Sequence, residues 1–233
     1  IEMKKIVVFT GAGMSAESGI RTFRDSGGLW EEHNINDVAT PQAWHRDPEL
    51  VTRIYNQRRK QMQESAPNAG HFALVQLESH YHVTIITQNV DDLHERAGSS
   101  HVMHLHGELS KCRSTADPNL VYEVDGWELT AESKCELGSR LRPHIVWFGE
   151  DVPMMGNALR STADADIFLI VGTSLEVYPA AGLVLQAPIH ADKFYVDPNA
   201  KNISNIENLR VITEKAGTAL PKLVEELLMK SGI

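Results

Sequence analysis

The chain predicts an α/β protein with a doubly wound parallel sheet and a second, smaller lobe. Short apolar runs recur along it, and most are continuous rather than alternating, as in strands buried on both faces. Helical patterns separate them, and strands alternating with helices are the pattern of a wound parallel sheet. Two of the runs, far apart in sequence, break abruptly into a glycine-rich or polar turn. In an open parallel sheet the carboxyl ends of the strands are where ligands bind.

The first strand is expected over 5–10, where Ile6-Val7-Val8-Phe9 runs into Thr10-Gly11. Others are expected at 83–87, 102–105, 145–148, 167–172, 194–197 and 210–213. Asp47-Pro48-Glu49 opens a helix, with a capping Asp, Pro at the first helical position and an acid near the positive helix end. Leu50, Val51, Ile54, Tyr55 and Met62 give it an apolar face. Asn68 can cap a second helix carrying Phe72, Leu74, Val75 and Leu77. Near the C-terminus Leu220, Leu223, Val224, Leu227 and Leu228 fall on one stripe at helical period. Segments 26–67 and 108–143 break the rhythm. The first is polar and helical; the second is charged, turn-rich and poor in strand pattern. Both are expected to leave the main sheet and form the smaller lobe, leaving 3–25, 68–107 and 144–233 to the large one.

A chain of 233 residues suits one domain with a small lobe. No stretch approaches the roughly 20 apolar residues of a membrane span, and no signal peptide is read. Cys112 and Cys135 are the two cysteines, too few for a secreted disulfide framework, so a reducing cytoplasm is expected. The net charge of -9 is opposite in sign to a nonspecific nucleic-acid binder. No long exposed apolar helix demands a partner, and a monomer is expected.

Gly11, Gly13 and Ala16 satisfy the G-x-G-x-x-G/A dinucleotide pattern after a strand. Small residues let a backbone approach a pyrophosphate, and a following helix N-terminus favours its charge. A tight strand-to-helix turn explains the same pattern. A hydride-transfer domain would place a second strand about 20 residues on, ending in an acid for ribose. Leu29-Trp30-Glu31-Glu32-His33-Asn34 does not look like such a strand, so the sugar must be handled elsewhere. Gln88, Asn89 and Asp91, just past the 83–87 run, can bind ribose hydroxyls and an amide; Asn and Asp are also ordinary turn formers. His104 and His106 would face one side if 102–106 were a strand. They offer a general base or a metal pair, the latter needing further ligands such as His94 or Asp91.

Together these residues resemble the sirtuin family, the NAD-dependent protein lysine deacylases. Five motifs occur in family order: GAGMSAESGIRTFR (11–24), TQNVDDLH (87–94), HLHGEL (104–109), VWFGE (146–150) and GTSLEVYPAAG (172–182). The resemblance spans nearly the whole chain as a single catalytic domain, 3–233. It implies a Rossmann-like large lobe and a small lobe made of a helical insert and a zinc-ribbon region. It makes His106 the catalytic base, with Asn89 and Asp91 catalytic beside it, and His104 a structural neighbour. It assigns cofactor contacts to Gly11, Ala12, Gly13, Glu17, Phe23, Arg24, Gln88, Asn89, Asp91, Gly172, Thr173, Ser174, Asp197, Asn199 and Ala216. Asp197 stands where many sirtuins carry Asn; a carboxylate can accept ribose hydroxyl bonds but cannot donate. Val146, Phe148, Gly149 and Glu150 on one side, and Leu175, Val177 and Tyr178 on the other, resemble the segments between which a substrate peptide adds as a strand. The implied reaction consumes NAD. The acyl oxygen attacks C1′ of the nicotinamide ribose, nicotinamide leaves, His106 takes a proton from a ribose hydroxyl, that hydroxyl attacks the imidate carbon, and with one water consumed free lysine and O-acyl-ADP-ribose result.

Tyr55 and Arg58, three apart on the Asp47 helix, share a face. Tyr55-Asn56-Gln57-Arg58 resembles the Tyr-x-x-Arg signature of the bacterial branch that removes succinyl and malonyl groups, and Ala39 matches the small residue at its pocket floor. Arg can clamp a carboxylate with paired hydrogen bonds, and the Tyr hydroxyl can donate a third. Desuccinylation and demalonylation are therefore expected beside deacetylation. The zinc-ribbon region departs from the family, because two cysteines, neither in a C-x-x-C pair, cannot make a four-thiolate site. No metal is expected, with the small lobe packing around Leu120, Val121, Tyr122 and Trp127; the alternative is a mixed site near Cys112 and Cys135 that borrows Asp, Glu or His. The competing readings are an NAD or ADP-ribose binding module, a mono-ADP-ribosyltransferase, and a metal-dependent hydrolase built on His104, His106 and Asp91.

Overall fold

A six-stranded, all-parallel sheet organises the larger part of the computed structural model, which describes residues 2–20, 29–30, 33–34, 37–177 and 180–232. Its strands are β1 (Lys5–Thr10), β4 (His82–Thr87), β5 (Val102–His104), β9 (Ile167–Val171), β10 (Asp192–Val196) and β11 (Leu209–Ile212), in the order β11-β10-β9-β1-β4-β5. The central strand β1 pairs with β4 on one side and β9 on the other. The chain winds outward through β4 and β5, then returns across β1 to β9, β10 and β11. That reversal puts the ends of β1, β4 and β9 side by side at the switch point of the sheet.

Successive side chains of a strand point to opposite faces, and each face has its own cover. Ile6, Val8, Val83, Ile85, Leu169 and Val196 pack under α4 (Ala69–Gln76) and α7 (Ala216–Lys230). Val7, Phe9, Ile86, Phe168, Ile170 and Tyr195 pack under α6 (Met155–Ala163) and a 3-10 segment, Ala180–Gln186. The caps expected from sequence form as read. Asp47 accepts from Leu50 N at 3.0 Å to start α3 (Pro48–Glu64), and Asn68 makes a capping box with His71 at the start of α4.

The smaller lobe holds the main departures from the sequence reading. The 108–143 region is not poor in strands. It carries an antiparallel sheet of β6 (Gly107–Ser114), β7 (Val121–Glu123) and β8 (Leu141–Ile145), ordered β7-β6-β8. Its polar, charged sequence conceals this because β7 is an edge strand with exposed residues at both ends. The strand expected at 145–148 ends at Ile145, since Trp147 N and Phe148 N turn away to Glu150 and Ala39. The expected packing group is also corrected. Val121 is exposed and Leu120, Tyr122 and Trp127 are half-buried. The lobe's core is Ala39, Ala43, Trp44, Val51, Tyr55, Met62, Leu109, Ile145 and Trp147, joining α2 (Pro41–Arg46), α3, β6 and β8. In place of a second parallel strand after the glycine turn there is a short antiparallel pair, β2 (Leu29–Trp30) and β3 (His33–Asn34). No helix among the described residues is long and apolar enough to cross a membrane.

Arg59, with no exposed surface, clasps this lobe. Its Nε donates to Leu109 O at 2.5 Å, and one terminal nitrogen donates to Asn56 Oδ1 at 2.9 Å and to Trp127 O at 2.8 Å. Asn56 bonds both the N–H and the C=O of Leu129. Burial pulls the guanidinium down to about 10, so it stays charged at neutral pH. One buried side chain thus ties α3 to β6 and to the 127–129 segment.

Candidate functional site

The glycine turn after β1 packs directly on the turn after β9. Gly11 N donates to Val171 O at 2.9 Å and Gly13 N to Gly172 O at 2.8 Å. A Cβ on Gly11 would lie 2.7 Å from Gly172 O, and one on Gly13 2.7 Å from Gly172 Cα. Gly172 has φ +65 and its Cβ would sit 2.3 Å from Met14 N. The glycines are therefore demanded by backbone-on-backbone contact between two strand ends. The helix that follows, α1 (Gly13–Ala16), is a single turn. Ala12 is its N-cap, without a side-chain cap.

Ser15, Asn89 and Asp91 form one buried cluster across that turn. Ser15 Oγ donates to Asp91 Oδ2 at 2.8 Å, Leu93 N donates to Asp91 Oδ1 at 3.0 Å, and Asn89 Nδ2 donates to Gly11 O at 2.9 Å. Burial raises the Asp91 carboxyl above its ordinary range, against the pull of the Ser15 and Leu93 bonds. Gln88, half-buried, ties its N–H to Thr10 O at 2.9 Å. Ser15 was not singled out from sequence; its signal is a small hydroxyl two residues past Gly13, in the first turn after a buried strand.

The two histidines separate. β5 ends at His104 and the chain bends, so His104 and His106 do not share one strand face as expected. His104 Nδ1 meets Asn89 O at 2.9 Å and Nε2 meets Glu95 Oε1 at 2.6 Å. Burial works against its charge, but Glu95 and Glu108 outweigh it and hold the pKa above the ordinary value. With an acceptor on each nitrogen, His104 is a fixed imidazolium that anchors Asn89. His106 is half-buried; burial lowers its pKa, opposed by a bond to the Gln88 backbone. A neutral imidazole at the mouth of the cluster can accept a proton. Among the described residues no group of three or more His, Cys, Asp or Glu could hold a metal, so the donors for a metal pair at His104 and His106 are not assembled. Among the described residues a zinc donor set is not assembled either. Cys112 Sγ faces Tyr122 O at 3.7 Å and Cys135 Sγ faces Ser114 Oγ at 3.3 Å.

The remaining cofactor-assigned residues line the same edge of the sheet. Thr173 Oγ1 accepts from Leu175 N at 3.1 Å, and Thr173 O accepts from the Tyr195 hydroxyl at 2.8 Å. Ser174 follows, half-buried. Asp197 is buried just past β10 and accepts from Asn199 N at 2.8 Å, while Asn199 itself is exposed. Glu17 and Ala216 meet at the start of α7. The Glu17 carboxylate accepts from Gly217 N at 2.7 Å, a favourable place for an anion. Phe23, Arg24 and Tyr178 lie outside the described residues.

The substrate-assigned segment is locked from behind. Arg142 bonds both Glu150 oxygens, at 2.9 and 3.0 Å, and lies 3.6 Å over the Trp147 ring. Burial would raise the Glu150 carboxyl, but Arg142 and the Trp147 N–H outweigh it and hold it below the ordinary range. Val146 N donates to His106 O at 2.9 Å, and Phe148 N to Ala39 O at 3.0 Å. Trp147 N donates to Glu150 Oε1 and Glu150 N to Trp147 O. With these amides engaged inside the protein, an added strand here must bond through carbonyls or through Gly149, which has φ +89. Phe148 and Val177 are exposed, and Leu175 holds φ +62, a strained conformation for leucine. Tyr55 is 1% exposed; its Oη accepts from Trp147 Nε1 at 3.0 Å, and burial pushes its pKa up to about 12. Arg58, half-buried one turn on, bears on that phenol electrostatically.

Comparison with known proteins adds four findings. The Sir2 family pattern matches residues 11–179. The chain is 51% identical over 228 residues to an NAD-dependent protein deacylase of Helicobacter pylori, covering 97% of this chain and 96% of that one. It is 49% identical over 231 residues to an NAD-dependent protein deacylase of Bacteroides thetaiotaomicron, covering 97% and 99%. Among solved structures, a Sir2 homologue–NAD complex superposes with TM-score 0.89 at 38% identity, covering 99% of this chain and 92% of that one.

Proposed function

The chain belongs to the Sir2 family, and on that premise we propose that it is an NAD-dependent protein lysine deacylase. The observation that carries the reading is the shared edge of the sheet. The Gly11–Gly13 turn, the Ser15–Asn89–Asp91 cluster and His106 meet there beside the Trp147–Glu150 segment. The fit to a dinucleotide rests on the same edge. Ser15 and Asn89 supply hydroxyl and amide groups, and the buried Asp91 and Asp197 supply acceptors for ribose hydroxyls.

NAD, bound as co-substrate, supplies the ADP-ribose that takes the acyl group as nicotinamide leaves. Asn89 and Asp91, held by Ser15 and by the imidazolium of His104, orient the sugar. His106, neutral near pH 7, accepts a ribose hydroxyl proton. The acyl-lysine chain enters along Val146–Glu150, with Phe148, Val177 and Leu175 as its nearest apolar supports.

The acyl pocket is assigned to Ala39, Tyr55 and Arg58. The Arg58 guanidinium would receive a terminal carboxylate, and the phenol, neutral at working pH, would stand beside it. Succinyl and malonyl removal is therefore proposed beside acetyl removal. The small lobe is proposed to hold without zinc, on the Arg59 clasp and its apolar core; metal analysis of purified protein should find well under one zinc per chain. The cysteine usage supports a cytoplasmic location, and the net charge of -9 supports action on proteins rather than on nucleic acid.

Nicotinamide release tests the reading. It should rise with added acyl-lysine peptide and be absent with the unacylated peptide. Release that ignores the peptide, together with adenylate label on protein, would favour mono-ADP-ribosyl transfer instead.

A further inference from the structure

We propose that His94, acting through Thr10 and Thr87, is a positioning residue for Asn89. The proposal deepens the reading above and rests on Asn89 serving the ribose pocket. Thr10 and Thr87 are the last residues of β1 and β4 and lie opposite each other in register. Asn89 N donates to Thr87 Oγ1 at 3.0 Å, and Thr10 Oγ1 donates to the same oxygen at 2.7 Å. That uses the single proton of Thr10, so its oxygen accepts from His94 Nε2, 3.0 Å away. Thr10 and Thr87 are fully buried and His94 is 1% exposed. Three side chains thus run from α5 (Leu93–Ala97), under the two strand ends, to the amide of Asn89.

The far side of His94 shows that its polarity is not incidental. Its ring meets His71 edge-on, with centroids 5.0 Å apart and planes at 70°. His71, with no exposed surface, accepts from Asn68 N on Nδ1, so its proton sits on Nε2. His94, donating through Nε2, keeps a lone pair on Nδ1. Neither His71 Nε2 nor His94 Nδ1 has a hydrogen-bond partner. Burying such nitrogens costs free energy that an apolar ring at 94 would avoid. The compensating gain is at Thr10. Asn68 closes the circuit, since its Nδ2 donates to Met14 O at 2.9 Å and to Ser18 Oγ at 3.0 Å. The network therefore grips both the glycine turn and the Gln88-Asn89 turn.

The test uses the full chain with Thr10→Val, His94→Phe, His94→Gln and Asn89→Ala. In the ligand-free protein, hydrogen exchange at the Asn89 amide should quicken at least tenfold in Thr10→Val and His94→Phe. Both should lower kcat for nicotinamide exchange about tenfold with the KM for NAD within twofold. His94→Gln, which can still donate to Thr10, should recover most of the loss. The Thr10→Val/His94→Phe double variant should be no slower than either single, as members of one relay are non-additive. If His94→Phe does not fold, Thr10→Val carries the test. Additive losses, or a lower melting temperature with unchanged kcat and Asn89 exchange, would overturn the relay. A fully active Asn89→Ala would instead overturn the reading of Asn89, and the relay with it.

Discussion

The two lobes are held together by different physics. In the large lobe the frame on which the site's side chains sit is set by backbone. Strand ends are fixed by five parallel pairings, and the glycine turn sits on Gly172 through main-chain bonds. In the small lobe the organising contacts are buried side chains: Arg59 on three acceptors, Arg142 on Glu150 and Trp147, Trp147 on Tyr55. Backbone geometry leaves little room for variation, which suits a shared co-substrate. A pocket made by side chains can change its acyl preference residue by residue while the sheet stays as it is.

The largest effect is expected at the boundary between the lobes. His106→Ala should lower kcat/KM at least 100-fold on every acyl peptide, because general-base catalysis contributes at that scale; steady-state rates on acetyl and succinyl peptides check it. A loss confined to one acyl group would blur the division of labour. Next, Arg58→Ala should lower kcat/KM on a succinyl peptide by about 10- to 100-fold, as hydrogen bonds to charged groups are worth about 1.5–3 kcal/mol. The acetyl peptide should change far less, and equal losses on matched peptides would remove Arg58 from the acyl pocket. Arg59→Met should destabilise by about 2–4 kcal/mol, since the Leu109 and Trp127 carbonyls lose their donor in a buried place. Urea unfolding followed at Trp127 should show the small lobe loosening first.

A pH effect is expected from two histidines of the large lobe. Burial lowers His71 to about 4 and takes His94 well below its ordinary value. Their folded pKa values are depressed, so between about pH 6.5 and 4 the unfolded chain binds more protons and stability falls as pH falls. Asp91, raised by burial, works the other way. Urea midpoints should drop between pH 7 and pH 5, and the drop should shrink in His71→Asn. The smallest effect is expected for Trp147→Phe. Losing the indole–phenol bond costs about 1 kcal/mol, read as a severalfold higher KM for the succinyl peptide.

The same contrast governs what could be read from sequence. The parallel strands and the Asp47 and Asn68 caps are local patterns, and period and capping chemistry expose them. The gathering of Gln88, Asn89 and Asp91 at a strand end follows from the apolar run before them. The small sheet was hidden, because β6 carries Glu108, Lys111 and Arg113 on half-buried faces and β7 is an open edge. Arg59 and Arg142 read as solvated charges on any local scale; only the fold brings them against distant carbonyls and Trp147. His104 and His106 looked like a pair because the bend after β5 has no Gly or Pro before Gly107 to announce it.

The measurement that tests the central claim most directly is mass spectrometry of matched acetyl-lysine and succinyl-lysine peptides, with and without NAD. The account predicts acyl loss only with NAD, one nicotinamide and one O-acyl-ADP-ribose appearing per lysine freed. Acyl loss without NAD, or no loss from either peptide by folded protein, would contradict it.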